Sequence, residues 1–273
     1  MRQFTPIVLA AFGTTSRAMN TYSYIDNAVK KAFPAYPVRW AYTSRMVRSH
    51  MNTKRRANMK TPQQVLNELG QQGHRWAVVQ SLHVINGHEF YRLVDAVRES
   101  TVRSSMGLPL LTSPSDYQST AAAILENGFA KGDTATVLIG HGTDHPAWTA
   151  YPALAQMLAA GGANVHVACI EGASSMKETI ATVKQSGAGS VHLVPLMLVA
   201  GVHLQEDIAG NEDSWKHAFK NAGMAVSVES EGLGKKPAII DIFIRHIREA
   251  LAVIPDRNSN PSVGLSPNSP QNA

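Results

Sequence analysis

Thr136-Val-Leu-Ile-Gly-His-Gly-Thr143, set beside Ile7-Val-Leu-Ala-Ala-Phe-Gly-Thr14, decides the fold: an apolar run, a glycine turn and a threonine occur twice in one chain. Two further pairs follow in the same order. Val38-Arg-Trp-Ala-Tyr42 resembles Val165-His-Val-Ala-Cys169, and Ala77-Val-Val-Gln-Ser-Leu82 resembles Val191-His-Leu-Val-Pro-Leu196. The third pair carries its loop along, so that Asn86-Gly-His-Glu89 falls opposite Ala200-Gly-Val-His203. Such a duplication implies two α/β lobes facing each other.

The stretches between these runs have helical period. Tyr22, Ile25, Val29 and Phe33 mark one helix, stopped by Pro34. Val65, Leu66 and Leu69 mark another, opened by Thr61-Pro62 and closed by Gly70. In the second half, Trp148, Tyr151, Leu154 and Leu158 precede Gly161-Gly162, and the stretch from Thr179 to Gln185 precedes Gly187. Short apolar runs alternating with helices predict an α/β fold of two duplicated lobes, each a four-stranded parallel sheet flanked by helices, with an active-site cleft between them. The first lobe is expected over residues 1–130 and the second over 131–254. A last helix over 236–253, carrying Ile239, Ile240, Phe243, Ile244, Ile247 and Leu251, is expected to cross back onto the first lobe. Residues 255–273 lack apolar residues for a core and read as a disordered tail.

With 273 residues and 44% apolar content, the chain has enough material for buried cores. No apolar run approaches the roughly 20 residues that span a bilayer, so no membrane segment is expected. Arg2 followed by the run over 7–12 mimics a short signal peptide, but the run doubles as the first strand, and a cytoplasmic product is expected. Cys169 is the only cysteine, which rules out an internal disulfide and a cysteine-based zinc or iron–sulfur site. Between Ser44 and Lys60, Arg45, Arg48, Lys54, Arg55, Arg56 and Lys60 gather without one acidic residue, and such a stretch wants an anion. Nucleic acid is not the expected partner, because no helix-turn-helix, finger or aromatic-interleaved RNA motif accompanies the charge. A polycarboxylate small molecule fits better.

Three residues then fall at the carboxyl ends of adjacent second-lobe strands, where open parallel sheets bind ligands: His141, Glu171 and His203. Two imidazoles and a carboxylate hold a divalent transition metal while leaving a position open. Each also has a plainer reading, as a hydrogen-bonded strand-end histidine or a carboxylate near a helix start. The repeat argues against it, since the corresponding first-lobe positions are Phe12, Ser44 and Glu89, and the fold itself requires no metal-binding side chain there. Glu89 reads either as a first-turn acid of the helix through Tyr91, Val94 and Val97 or as a carboxylate facing the metal and taking protons. His83 and His88 read first as structural histidines.

No nucleotide cradle appears. Gly232-Leu-Gly-Lys-Lys236 lacks the acidic follow-up of a dinucleotide turn, and no Gly-x-Ser-x-Gly elbow supports a serine hydrolase. Thr14 and Thr143 are expected to cap helices instead.

Phe12-Gly-Thr14, Ala41-Tyr-Thr-Ser44, Gln80-Ser-Leu-His-Val-Ile-Asn-Gly87, Gly140-His-Gly142, Leu196-Met-Leu-Val-Ala-Gly-Val-His203 and Asp213-Ser-Trp-Lys216, taken together, closely resemble the anaerobic sirohydrochlorin cobaltochelatases. The likeness runs from about Ile7 to Leu251. It implies a class II chelatase, related in fold to ferrochelatase, that inserts Co²⁺ into sirohydrochlorin without ATP on the early-cobalt route to vitamin B12, as a monomer or homo-oligomer. By resemblance, His141, Glu171 and His203 are the metal ligands and Glu89 is the family's acid on the opposite lobe; His88 departs from the family pattern. His141 is then the expected acceptor of a pyrrolic proton, with Glu89 or Glu171 assisting; Arg45 and Arg48 neutralise peripheral carboxylates, and Phe12, Met46 and Met197 either touch the ring face or pack in a core. Fe²⁺ insertion into sirohydrochlorin or a porphyrin stands as one alternative. A protein that binds metal or tetrapyrrole without transforming it is the other.

Overall fold

The computed structural model describes residues 4–15, 17–126, 133–172 and 175–255. The expected lobe boundary at 130 and all of the expected tail except Pro255 lie outside these residues.

Four parallel strands, β1 (Ile7–Ala11), β2 (Val38–Tyr42), β3 (Trp76–Ser81) and β4 (Arg103–Gly107), form one sheet in the order β2-β1-β3-β4. A second sheet of β5 (Thr134–Gly140), β6 (Val165–Cys169), β7 (Ser190–Pro195) and β8 (Ala225–Val228) repeats it as β6-β5-β7-β8, again parallel throughout. The backbone confirms the repeat bond by bond. Ser44 N–H donates to the Phe12 carbonyl at 3.1 Å and Glu171 N–H to the His141 carbonyl at 2.9 Å; Leu82 donates to Ala10, and Leu196 to Ile139, both at 2.8 Å. Tyr22 and Tyr151, each nine residues after a turn glycine, accept from Gly13 N–H at 3.1 Å and Gly142 N–H at 3.3 Å. Burial raises the phenol of Tyr151 to about 12, against the Gly142 amide that its oxygen accepts, and the phenol of Tyr22 goes up for the same reason.

Nine α-helices are present among the described residues. In the first lobe these are α1 (Asn20–Ala32), α2 (Arg45–Arg55), α3 (Pro62–Gln71), α4 (His88–Arg98) and α5 (Pro114–Glu126). The second half carries α6 (Ala150–Ala160), α7 (Met176–Gln185), α8 (Trp215–Asn221) and α9 (Pro237–Ala252). Their starts follow local chemistry. Thr61 and Gln64 form a reciprocal capping box at α3, with Pro62 in the first turn, while Ser44, Ser175 and Ser214 cap α2, α7 and α8 through their hydroxyls. The N-cap of α1 is Met19, and Thr143 caps no helix: its Oγ1 accepts from His145 N–H at 3.1 Å, bending the chain before a 3-10 turn whose N-cap is His145. Nor does Gly70 close α3, which runs on to Gln71; Gly73, at φ +81°, makes the left-handed exit. No helix among the described residues is long and apolar enough to cross a membrane.

Alternation along the strands decides which core each side chain joins. Ile7, Leu9 and Ala11 of β1 point into a core shared with Leu138 of β5, Leu154 and Leu158 of α6, and Ile239, Phe243 and Ile247 of α9. Val8 and Ala10 point the other way, into a smaller core with Leu66, Leu69 and Leu93. On the far side of the second sheet, Val137 and Ile139 pack with Trp215 and Phe219. The lobes are therefore joined through a continuous apolar interior.

Helix α9 follows the second lobe in sequence yet packs against α1, β3, β4 and α5 of the first. A buried polar clamp fixes its register. Asp116 of α5, 1% exposed, accepts from Arg245 Nη2 at 2.6 Å, His246 Nε2 at 2.8 Å, and the Ser113 amide and hydroxyl at 2.7 and 2.8 Å. His246 Nδ1 meets the Leu108 carbonyl at 2.9 Å, so both ring nitrogens are engaged and the ring bridges the loop after β4 and α5. Burial pushes the Asp116 carboxyl up, but the bonds from Ser113, Arg245 and His246 outweigh it and hold the carboxyl at about 2.

Asp116→Ala leaves the Arg245 guanidinium and the buried His246 ring without their shared acceptor, and its expected cost is about 3 kcal/mol of unfolding free energy, measured by urea titration. An unfolded aspartate titrates near 3.9, above the folded value, so the clamp is fully stabilising at neutral pH and is lost as pH falls from about 4 through about 2. The wild-type midpoint should fall across that window more steeply than that of Asp116→Asn.

Candidate active site

The carboxyl edges of β5, β6 and β7 carry the three expected residues. Their positions rest on a close backbone approach. Gly142 has φ +86°, and a Cβ there would lie 1.9 Å from the Glu171 carbonyl oxygen, so only glycine lets the turn after β5 press against the end of β6. His141 and Glu171 are neighbours for this reason: His141 Nδ1 stands 4.0 Å from Glu171 Oε2. The His141 and His203 rings meet edge to face with centroids 4.7 Å apart. All three side chains are open to solvent to a substantial degree, at 46, 64 and 43%.

The hydrogen bonds of the two rings determine what they present. His141 Nδ1 lies 3.1 Å from the Gly142 carbonyl, and His203 Nδ1 lies 2.7 Å from Asp207 Oδ2. Both partners are acceptors, so both Nδ1 atoms donate and both Nε2 lone pairs are left to bind a cation. The expected triad is drawn together only partly: among the described residues, no three His, Cys, Asp or Glu side chains are close enough to enclose a metal ion. The pair of imidazoles is the tight element, and Glu171 flanks it.

In the first lobe, Glu89 occupies the first turn of α4. One oxygen pairs with Arg92; the other, Oε2, is buried with no hydrogen-bond partner in the structure. His83 and Arg48 feel its charge. Burial holds His83 down at about 4, with Glu89 opposing, and its ring nitrogens contact the Ser81 and Thr43 hydroxyls at 2.9 and 3.3 Å. His88, beside Glu89, reaches the other lobe: its Nε2 contacts Asp144 Oδ1 at 2.8 Å, and its ring lies edge to face with His145. This contact sets the start of α4 opposite the loop that follows His141.

The basic stretch after β2 is helix α2. Arg45 and Met46, 80% exposed, project from its first turn, and Phe12 at the equivalent of His141 is 45% exposed. Arg48 is committed elsewhere in part: its Nη1 donates to the Tyr42 and Thr43 carbonyls at 2.6 and 2.7 Å, tying α2 to the end of β2. Met197, for which core packing stood beside ring contact, packs against the second-lobe core around Trp215 and Phe219, on the face that Val191 and Leu193 of β7 also present. Asp207 was not among the expected site residues; its spacing of four from His203 was the only signal in the sequence.

A family model described as Cobalt chelatase (CbiK) matches residues 5–252. The chain is 33% identical over 259 residues to the sirohydrochlorin cobaltochelatase CbiKC of Nitratidesulfovibrio vulgaris, which covers 92% of each chain. It is 36% identical over 216 residues to the sirohydrochlorin cobaltochelatase of Salmonella typhimurium, covering 77% of this chain and 82% of that one. Among solved structures, SirB from Bacillus subtilis with Fe³⁺ superposes with a TM-score of 0.65 at 17% identity, over 92% of this chain and 96% of that one. CbiX, described as the terminal enzyme for siroheme biosynthesis in denitrifying bacteria, gives 0.55 at 17% identity over 92 and 100%. These two likenesses show a common fold.

Gly142→Ala is expected to destabilise the protein by about 2 kcal/mol or more, from the left-handed backbone and the collision with the Glu171 carbonyl together. It should also weaken Co²⁺ binding measured by calorimetry, whereas Gly162→Ala, also at positive φ but with open space around it, should leave Co²⁺ binding intact.

Proposed function

The chain belongs to the cobalt chelatase (CbiK) family, and we infer that its inter-lobe cleft inserts Co²⁺ into sirohydrochlorin, releasing two pyrrolic protons. The observation that carries this reading is the pair of imidazoles, His141 and His203, each with Nδ1 engaged and Nε2 unengaged at the edge of one sheet. Neutral imidazole suits Co²⁺, and bonds of this type exchange readily because protons compete for the same lone pair. Two nitrogen donors and one flanking carboxylate hold an incoming ion without enclosing it, which a site that must release its metal requires.

The remaining groups take roles that follow from their surroundings. As cobalt passes to the macrocycle, the vacated Nε2 of His141 accepts a pyrrolic proton. Glu89, whose Oε2 is buried and without a partner, receives the other from the opposite lobe, and Arg48 and His83 lie close enough to respond to its charge. Arg45 neutralises peripheral carboxylates of the substrate, while the exposed Phe12 and Met46 offer apolar contact to the ring face. Arg48 contributes chiefly by holding α2 in place. The chelate formed is its own driving force, so the reaction is written without a nucleotide, and it is placed in the cytoplasm, where the buried thiol of Cys169 stays reduced.

His141→Ala and His203→Ala are each expected to lower kcat for cobalt insertion by at least about a hundredfold while the variants still fold and still bind sirohydrochlorin, followed by its absorbance. Turnover at the wild-type rate in either variant would remove the proposed site. Glu89→Gln should lower kcat with little change in the KM for Co²⁺. Anaerobic assays offering Co²⁺ and Fe²⁺ separately are expected to favour cobalt; preference for iron would remove the cobalt assignment.

A further inference from the structure

His141 and His203 both engage Nδ1 and leave Nε2 unengaged, but by different means. The first is held by its own turn, through the carbonyl of Gly142. The second depends on a side chain, Asp207, four residues further along. The intervening backbone is unusual. From Leu204 to Ile208 it forms a π-helical turn, closed by a bond of 2.8 Å from Ala209 N–H to the Leu204 carbonyl, and the equivalent stretch of the first lobe is the regular helix α4. π turns of this kind recur where a side chain must be placed for function.

The repeat isolates the residue. With Glu89 opposite His203, the place of Asp207 in the first lobe is taken by Leu93, which is completely buried and contributes to the outer core. The fold thus has no need of an acid there. Asp207 is not buried, with its side chain 37% exposed, and its one ion-pair contact among the described residues is to His203. A half-exposed carboxylate whose hydrogen bond and ion pair among the described residues both go to His203 has its consequence in that histidine.

We propose that Asp207 is a positioning residue for cobalt transfer: its carboxylate accepts the Nδ1 proton of His203, which fixes the ring's orientation and keeps the Nε2 lone pair available to the ion. Partners of this kind, a carboxylate behind a metal-binding imidazole, set the tautomer and raise the ring's donor strength, and their loss commonly costs about ten- to hundredfold in metal affinity. Asp207 touches neither cobalt nor the macrocycle in this arrangement. The proposal rests on His203 being a cobalt ligand.

The test uses the full chain in wild-type, Asp207→Ala, Asp207→Asn and His203→Ala forms. Long-range ¹H–¹⁵N spectra in alkaline buffer, where the neutral ring is observed, identify the His203 signals by their loss in His203→Ala. In the wild type they should report a proton on Nδ1. In Asp207→Ala that preference should be lost, the KM for Co²⁺ should rise about ten- to hundredfold, and kcat at saturating cobalt should fall much less. Asp207→Asn keeps an acceptor oxygen and should restore the tautomer and bring the KM back to within a few-fold of wild type. A wild-type proton on Nε2, or an unchanged tautomer and cobalt KM in Asp207→Ala, overturns the proposal while leaving the histidine site standing, provided that His203→Ala loses insertion. If His203→Ala itself inserts cobalt normally, the site reading fails and the role of Asp207 falls with it.

Discussion

The bond network around Asp116 is the constraint on which the arrangement of the lobes depends. Four donors converge on one buried carboxylate, two from α5's own start and two from α9. Because α9 ends the second half of the chain and lies on the sheet of the first, this network sets how the two copies meet. The apolar interior shared by β1, β5, α6 and α9 supplies the bulk of the attraction, but apolar contact is tolerant of sliding. A carboxylate facing a guanidinium and an imidazole at fixed angles is not, and it pins the register of the helix that joins the two halves.

Within that frame the duplicated fold is chemically one-sided. The same strand ends carry Phe12 and His141, Ser44 and Glu171, Glu89 and His203, while one turn further on Leu93 stands opposite Asp207. In the first lobe Ser44 caps a helix and Leu93 packs in a core, while Phe12 is exposed and Glu89 keeps a carboxylate. The second lobe converts them into two imidazoles with matched polarity and a carboxylate beside them. Backbone geometry is shared, down to the tyrosine hydroxyls that accept from Gly13 and Gly142. Duplication supplied the scaffold, and substitution in one copy made a place for a cation facing an acid in the other.

Much of this was legible in the residues because both faces of parallel strands are buried. The runs that became β1, β3, β5 and β7 are nearly continuous in apolar residues, and matching them between halves aligned the site positions as well. At one edge of each sheet, β4 and β8 were silent. Arg-Ser-Ser-Met-Gly of β4 and Ala-Val-Ser-Val of β8 are short and partly polar, as sheet edges tend to be, and neither has a pattern that separates it from a loop. Helix α2 was hidden for the opposite reason: only Met51 of its residues is buried, so apolar periodicity could not reveal it. At the site, residue type pointed to His141, Glu171 and His203 but not to their spacing, and the carboxylate in contact with His203 proved to be Asp207. For Met197 both readings stood open, because a polarizable side chain near a cleft and one in a core look alike in sequence.

The central claim is that cobalt enters on the second lobe, between the Nε2 atoms of His141 and His203. Anomalous scattering at the cobalt edge from crystals soaked in Co²⁺ tests it most directly. The expected result is one strong peak within bonding distance of both Nε2 atoms, about 2.0–2.2 Å, on the side flanked by Glu171. Cobalt held instead on the first lobe, at Glu89 and His83, or at the His88 and Asp144 contact with both second-lobe imidazoles bare, would contradict it.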